Sequence, residues 1–159
     1  MPVHQFKSSL NSLGAVLSST LSQQQLVSDQ KAMELLEFHK KLKDQHQARR
    51  CTALGLDHVL CFDRVDKALT SALHLQLAFP ELKIGLHLGD VRFTKSDVFG
   101  AAVEGAMMLS EAAECGEILV SLDVVNQLPT DRVNMLPADN LNQIFSIRPP
   151  LQYSERQAS

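Results

Sequence analysis

The stretch SDVFGAAVEGAMMLSEAAECGEILVS, residues 96–121, narrows the possible folds more than any other part of the chain. After Phe99 and Gly100, the residues Val103, Ala106, Met107 and Ala113 recur at the spacing of one helix face, which predicts an amphipathic helix. Gly116 stands where such a helix takes its C-terminal cap. The apolar run EILVS then reads as a buried strand, and Ser121 as the N-cap of a short helix in LDVVNQL. Just upstream, LKIGLHLGDVRF alternates apolar and polar residues, placing Ile84, Leu86 and Leu88 on one face of a half-buried strand. A strand, a helix and a strand in this order bury their apolar faces by laying the helix on a sheet.

The rest of the chain supplies the other layers. From about Ser22 to Gln47, Leu26, Met33, Leu36 and Leu42 with charges between them predict one long helix. CTALGLDHVLCF reads as a hairpin turning at Gly-Leu-Asp. In DRVDKALTSALHLQLAF the residues Val65, Ala68, Leu69, Ala72, Leu75 and Phe79 fall at helical spacing, with Asp63 placed to cap the start and Pro80 to end the helix. Residues 1–20 fit either a first strand or an N-terminal arm, residues 21–150 a single domain, and residues 151–159 a flexible tail. The expected fold is α/β, an α+β sandwich: a ferredoxin-like, mostly antiparallel sheet with helices packed on it. The helices at 64–79 and 100–114 are expected on the same face.

A chain of 159 residues with 45% hydrophobic and 21% charged residues has the composition of one soluble globular core. Its net charge of -3 argues against nucleic acid as partner, and the basic run HKKLKDQHQARR reads as a solvated helix end. Cys51, Cys61 and Cys115 lack metal-ligand spacing and read as reduced, small buried hydrophobes in a cytoplasmic protein. LGAVL is too short to span a membrane or to serve as an export signal. His39 and His46 read as exposed helix residues and His87 as a packed or edge strand residue, so no metal and no cofactor is expected.

Between about Leu54 and Leu128 the chain resembles the catalytic domain of class III adenylate and guanylate cyclases. That family's patterns IGIHxGxV, DxFGxxVNxAxRL and GxIxVS are similar to IGLHLGDV (84–91), DVFGAAVEGAMML (97–109) and GEILVS (116–121), in the same order. GLDHVLCF at 55–62 resembles the family's hairpin and is followed by an Ala-containing helix, so the likeness covers about half the chain.

The resemblance also implies where chemistry belongs. In the family two aspartates hold two divalent metals that activate a ribose hydroxyl and neutralise the triphosphate. The first lies early in the chain, where this sequence has no carboxylate before Asp29; the second follows the hairpin Gly, where it has Leu56. Asp57 is one residue further on, and strand alternation is expected to turn it away from the site unless a bulge re-aims it. The transition-state asparagine and the phosphate-binding arginine correspond to Glu104 and Met108, neither of which supplies the implied donors. Asp97 matches the acidic residue that reads the purine edge, but its lysine partner corresponds to Thr52, and no late lysine is evident in LPADNLNQIFSIRPPLQYS. Asp97 also reads as a turn former.

These departures lead to the expectation of a chain that is not an enzyme. It would serve as a protein-interaction or regulatory signalling module, through contacts with a second copy or another protein. The alternatives are a sensor that binds a nucleotide or other small molecule, and a subunit of a working cyclase completed by a second chain. Met108, within the apolar AMML, is expected to serve packing.

Overall fold

The computed structural model describes residues 11–22, 27–128 and 134–149. Its central strand is β1 (Asn11–Thr20), the segment that composition left open between strand and arm. β1 pairs antiparallel with β3 (Asp57–Phe62) on one side and with β4 (Lys83–Phe93) on the other. Val16 and Leu17, on opposite faces, are both fully buried. A strand covered on both sides carries no period-two alternation, which is why the sequence pattern was weak here.

Two serines in β1 stay buried because each has a partner. Ser18 shares a 3.0 Å hydrogen bond with Ser110 on one face. Ser19 lies 2.8 Å from His39 Nε2 on the other. Burial of an unpaired hydroxyl would cost on the order of 1–3 kcal/mol.

Among the described residues the strands form one eight-stranded sheet in the order β2-β3-β1-β4-β6-β8-β7, with β5 (Val98–Phe99) paired to β4. β2 is Arg50–Leu54, β6 Ile118–Ser121, β7 Leu136–Pro137 and β8 Ile144–Ile147. The pairing is antiparallel except between β4 and β6. The expected sandwich with a mostly antiparallel sheet is therefore what the chain adopts. No helix among the described residues is long and apolar enough to cross a membrane.

One face of the sheet carries helices α1 (Asp29–Gln45) and α2 (Val65–Ala78). Leu35 and Leu42 of α1, and Ala68, Leu69, Ala72 and Leu75 of α2, close on Leu17, Leu60, Phe62, Ile84 and Leu86 in the main core. Helix α1 starts at Asp29, seven residues past the expected start, and is capped by Ser28, whose hydroxyl accepts from the Lys31 amide; residues 23–26 lie outside the described set. Helix α2 starts at Arg64 without a side-chain cap, and Asp63, expected to cap it, instead pairs with Arg49 at 3.4 Å.

The opposite face carries α3 (Ala101–Ala112), whose Ala102, Val103 and Ala106 pack on Val16, Val59, Cys61 and Val91. The expectation that the 64–79 and 100–114 helices share a face is thus corrected. The reason lies in β4. Its even-numbered residues Ile84 and Leu86 point to the main core, while its other face presents Gly85, where an added Cβ would stand 2.4 Å from the Ala106 carbonyl oxygen and 2.5 Å from the Ser110 nitrogen. Only a strand face without side chains lets helix backbone approach so closely. Helix α3 ends at Ala113 rather than at Gly116; the latter, with φ of 84°, turns the chain into β6.

Two smaller expectations also change. Cys115 is exposed, not a buried hydrophobe, whereas Cys61 is buried. His39, expected on the helix surface, is fully buried. It lies on the same stripe as Leu35 and Leu42, at i+4 and i−3, which is the signal that could have found it.

Candidate functional site

Helix α3 crosses its face of the sheet with small residues inward, and beside it a cavity of about 300 Å³ opens between α3, β4, β6 and the short helix α4 (Leu122–Val125). His87 of β4 forms part of the wall. Gly105 makes the approach possible, since a Cβ there would stand 2.3 Å from His87 Cδ2. Met108 and Leu109 come from α3, Ser121 and Asp123 from the β6–α4 junction, and Ile144 from β8. Met108 is 71% exposed at the mouth.

The polar atoms of this cavity are unusual. His87 Nδ1 and Ser121 Oγ are both buried and have no hydrogen-bond partner, although Ser121 is the N-cap residue of α4. Buried polar atoms are nearly always paired, and these two belong to residues of one cavity wall while being themselves shut off from it. Burial holds the His87 imidazole below its usual pKa, while the nearby Asp123 carboxylate pulls it upward. Neither His87 nor Ser121 was assigned a role from sequence. The signal was weak: His87 sits in an apolar strand and Ser121 reads as an ordinary cap.

The residues singled out by the resemblance are distributed across the domain. Met108 reaches the cavity, and Glu104 is exposed one turn earlier on the same helix. Leu56, in the hairpin turn, packs onto the main core on the opposite side of the sheet. Asp57 begins β3, in register with Leu54, and accepts a 2.5 Å hydrogen bond from the Thr20 hydroxyl. It alternates with Val59 and Cys61, so it belongs to the α3 face. Asp57 was expected to turn away. The turn consists of Gly55 and Leu56 alone, and with Gly55 at φ of 64° the strand resumes at Asp57 with Leu56 folded inward.

Thr52 lies in β2 opposite Val59, half-buried. Asp97 lies in the turn joining β4 and β5, where its side chain accepts from the Val98 amide at 2.8 Å and its carbonyl oxygen accepts from the Thr94 amide and the Arg50 guanidinium. Neither lines the cavity. Among the described residues no three His, Cys, Asp or Glu side chains gather as a metal-binding group. One carboxylate tied to a threonine does not fit the two-metal centre implied by the resemblance.

No protein-family model and no curated protein sequence matches the chain. Solved structures do. An adenylate/guanylate cyclase/hydrolase from Silicibacter pomeroyi is 23% identical, with a TM-score of 0.66 over 89% of this chain and 99% of that one. The guanylyl cyclase domain of the RhoGC fusion protein from the aquatic fungus Blastocladiella emersonii is similar in two crystal structures. The monomeric form gives a TM-score of 0.73 at 14% identity over 87% of this chain and 97% of that one. The non-canonical dimeric form gives 0.68 at 13% identity over 86% and 95%.

These neighbours correct the expectation that the chain is not an enzyme: the solved domains it is similar to are nucleotide cyclases. That expectation ran from single letters at aligned positions, and the displaced Leu56 and Asp57 show that such letters do not fix where a side chain sits. Helices on both faces of the sheet accompany the likeness along nearly the whole chain. The chain has the fold of the catalytic domain of class III adenylate and guanylate cyclases.

Proposed function

We propose that this chain is a signalling domain of the nucleotide-cyclase fold that works as one half of a pair, meeting a second copy of itself across the α3 face. The observation that carries this reading is the unequal cover of the sheet. The face under α1 and α2 closes the main core, whereas the other has α3 alone and leaves Leu54, Met108 and Leu136 exposed at 61%, 71% and 64%. Leu54 is opposite Asp57 in β2, and Leu136 is opposite Ser146 in β7, so these apolar side chains lie toward the two edges of the sheet with Met108 between them. Met33 and Leu77 are exposed on the two helices of the opposite face, but there they stand on a layer that already covers the core, whereas exposed apolar groups on the thinly covered face are available to a self-complementary contact.

The non-canonical dimeric crystal form of the fungal domain supports pairing as something this fold does, and the same domain also has a monomeric crystal form. Cyclisation of a nucleoside triphosphate, the activity for which the neighbours are known, is accordingly the reaction to assay on the pair, with ATP and with GTP.

Sedimentation equilibrium over a concentration series tests the proposal. The expected result is a monomer–dimer equilibrium for the natural chain and a shift to monomer for Met108→Arg, which would place an unpaired guanidinium in the contact. A natural chain that stays monomeric up to its solubility limit, or a Met108→Arg variant that dimerises equally well, overturns it.

A further inference from the structure

We propose that α1 is an acid-released clamp: a second proton on His39 frees this helix from the sheet while the strands beneath it stay paired. The inference goes beyond the pairing proposed above and does not depend on it, because α1 and α3 lie on opposite faces.

Helix α1 is held along a narrow stripe. Of its 17 residues only Leu35, His39 and Leu42 are buried, and the middle one is a histidine. Phe38 adds an edge-to-face contact with Phe79 at 5.2 Å, and Lys31 an ion pair with Glu81. Strand β1, by contrast, is buried on both faces and paired along both edges. A unit with few buried contacts opens at lower free energy than the strands it covers.

The hydrogen bonds of His39 fix where its protons sit. Nδ1 lies 2.6 Å from the Leu35 carbonyl oxygen, which only accepts, so Nδ1 carries the single proton of the neutral ring. Nε2 is then the acceptor for the Ser19 hydroxyl at 2.8 Å. A second proton has only Nε2 to take, against that hydroxyl's own hydrogen, and the cation it makes has the His58 ring stacked 4.0 Å away.

No counter-charge waits for that cation. β1 offers the Ser19 hydroxyl, β3 offers His58, and α2 enters the same core through Ala68, Leu69, Ala72 and Leu75. Cys51 of β2 is half-buried, its thiol raised by burial against the pull of Lys40 and Lys43 on α1 itself. Asp57 lies on the reverse face of β3 and favours the charged form of His58, not of His39. Glu34, Glu37 and Asp44 of α1 are exposed. At the end of the helix His46 meets His74 of α2, with ring centroids 5.3 Å apart, beside Lys67. A buried cation without a carboxylate is costly, whereas in the released helix the same ring stands in water and takes its proton near pH 6.5. Acid therefore favours release.

Hydrogen–deuterium exchange of the full chain tests the proposal, read by mass spectrometry between about pH 7.5 and about pH 5 with labelling times scaled to the intrinsic exchange rate. Below about pH 6 the open fraction of α1 should rise about tenfold per pH unit through His39, one proton per opening. Peptides of β1 and β4 should keep their protection over the same range. His39→Met removes the titrating ring, as does His39→Gln should the former not fold, and either should lower the slope for α1 by about one proton. The pH series on the natural chain stands by itself if neither variant folds. The proposal is overturned if α1 is equally protected at both ends of the range, if β1 and β4 lose protection in step with α1, or if the His39 variants keep the natural slope.

Discussion

Mild acid should loosen this domain through one buried contact before carboxylates become involved. His39 of α1 and His58 of β3 are both fully buried, with their rings stacked 4.0 Å apart at 11°. His39 Nε2 meets the Ser19 hydroxyl and Nδ1 the Leu35 carbonyl oxygen. Burial, and after it the neighbouring His58, pushes the His39 imidazole down to about 3, against an upward pull from the Leu35 carbonyl. Burial lowers His58 as well, opposed by the Leu56 carbonyl and Asp57.

The sign follows directly. In the unfolded chain a histidine takes its proton near pH 6.5, and in the folded chain His39 refuses it until about pH 3. The unfolded state therefore binds more protons throughout that window, and stability, complete above about pH 6.5, falls as the pH drops. At about pH 5 the loss from His39 alone is about 2 kcal/mol, at 1.36 kcal/mol per pH unit. That is a sizeable share of the 5–15 kcal/mol typical of a domain.

Urea unfolding at about pH 7.5 and about pH 5 measures it. His39→Met removes the titrating ring while keeping bulk. It should be less stable at the higher pH, because Ser19 loses its partner, yet should lose less on acidification than the natural chain. His46 and His87, also lowered by burial, remain in both proteins and cancel in the comparison. Equal losses in the two proteins, or no acid loss in the natural chain, would refute the reasoning.

Gly85→Ala should cost about 3 kcal/mol or more, since the new methyl would meet the backbone of α3 at Ala106 and Ser110 rather than a side chain that can swing aside; thermal melting checks this, and an unchanged midpoint excludes the close approach. Ser146→Ala should cost roughly 2 kcal/mol, because Ser146 donates to Oε2 of the buried Glu117; the urea midpoint is the measure. Towards an aromatic disulfide reagent at neutral pH, Cys115 should react first, and Cys61 only on unfolding, because it is buried and its thiol is raised to about 11, chiefly by burial. Mass spectrometry of the partly labelled protein gives the order.

The parts of the fold that were legible in the sequence are those where one face is apolar and the other is not. Helix α2, β4 and α3 each show a single stripe, and their residues lie where the spacing put them. What escaped was whatever depends on both faces at once. β1 is apolar on both sides, with Ser18 and Ser19 pointing into separate layers to meet Ser110 and His39, so no local pattern announced it. The side of the sheet taken by α3 escaped for a related reason. The apolar stripe of Ile84, Leu86 and Leu88 was visible, but the meaning of Gly85 between them was not, because a residue without a side chain leaves no hydropathy signal while deciding which backbone can come close.

The hairpin shows how far a family pattern reaches into a site. The resemblance aligned Leu56 with a metal-binding aspartate and treated Asp57 as one residue out of phase. In the fold, β3 begins at Asp57, and the strand's own alternation ties the faces of Asp57, Val59 and Cys61 together. The carboxylate consequently lies on the same side of the sheet as α3, hydrogen-bonded to Thr20, while Leu56 belongs to the main core. Side-chain direction follows from where pairing starts rather than from distance to the nearest glycine, and the start of pairing is set by the turn. The cavity lining needed information of the same kind. His87 comes from β4 and Ser121 and Asp123 from the β6–α4 junction, and it is the parallel pairing of β6 with β4, together with the side-chain-free surface of Gly105, that brings the two places to one wall.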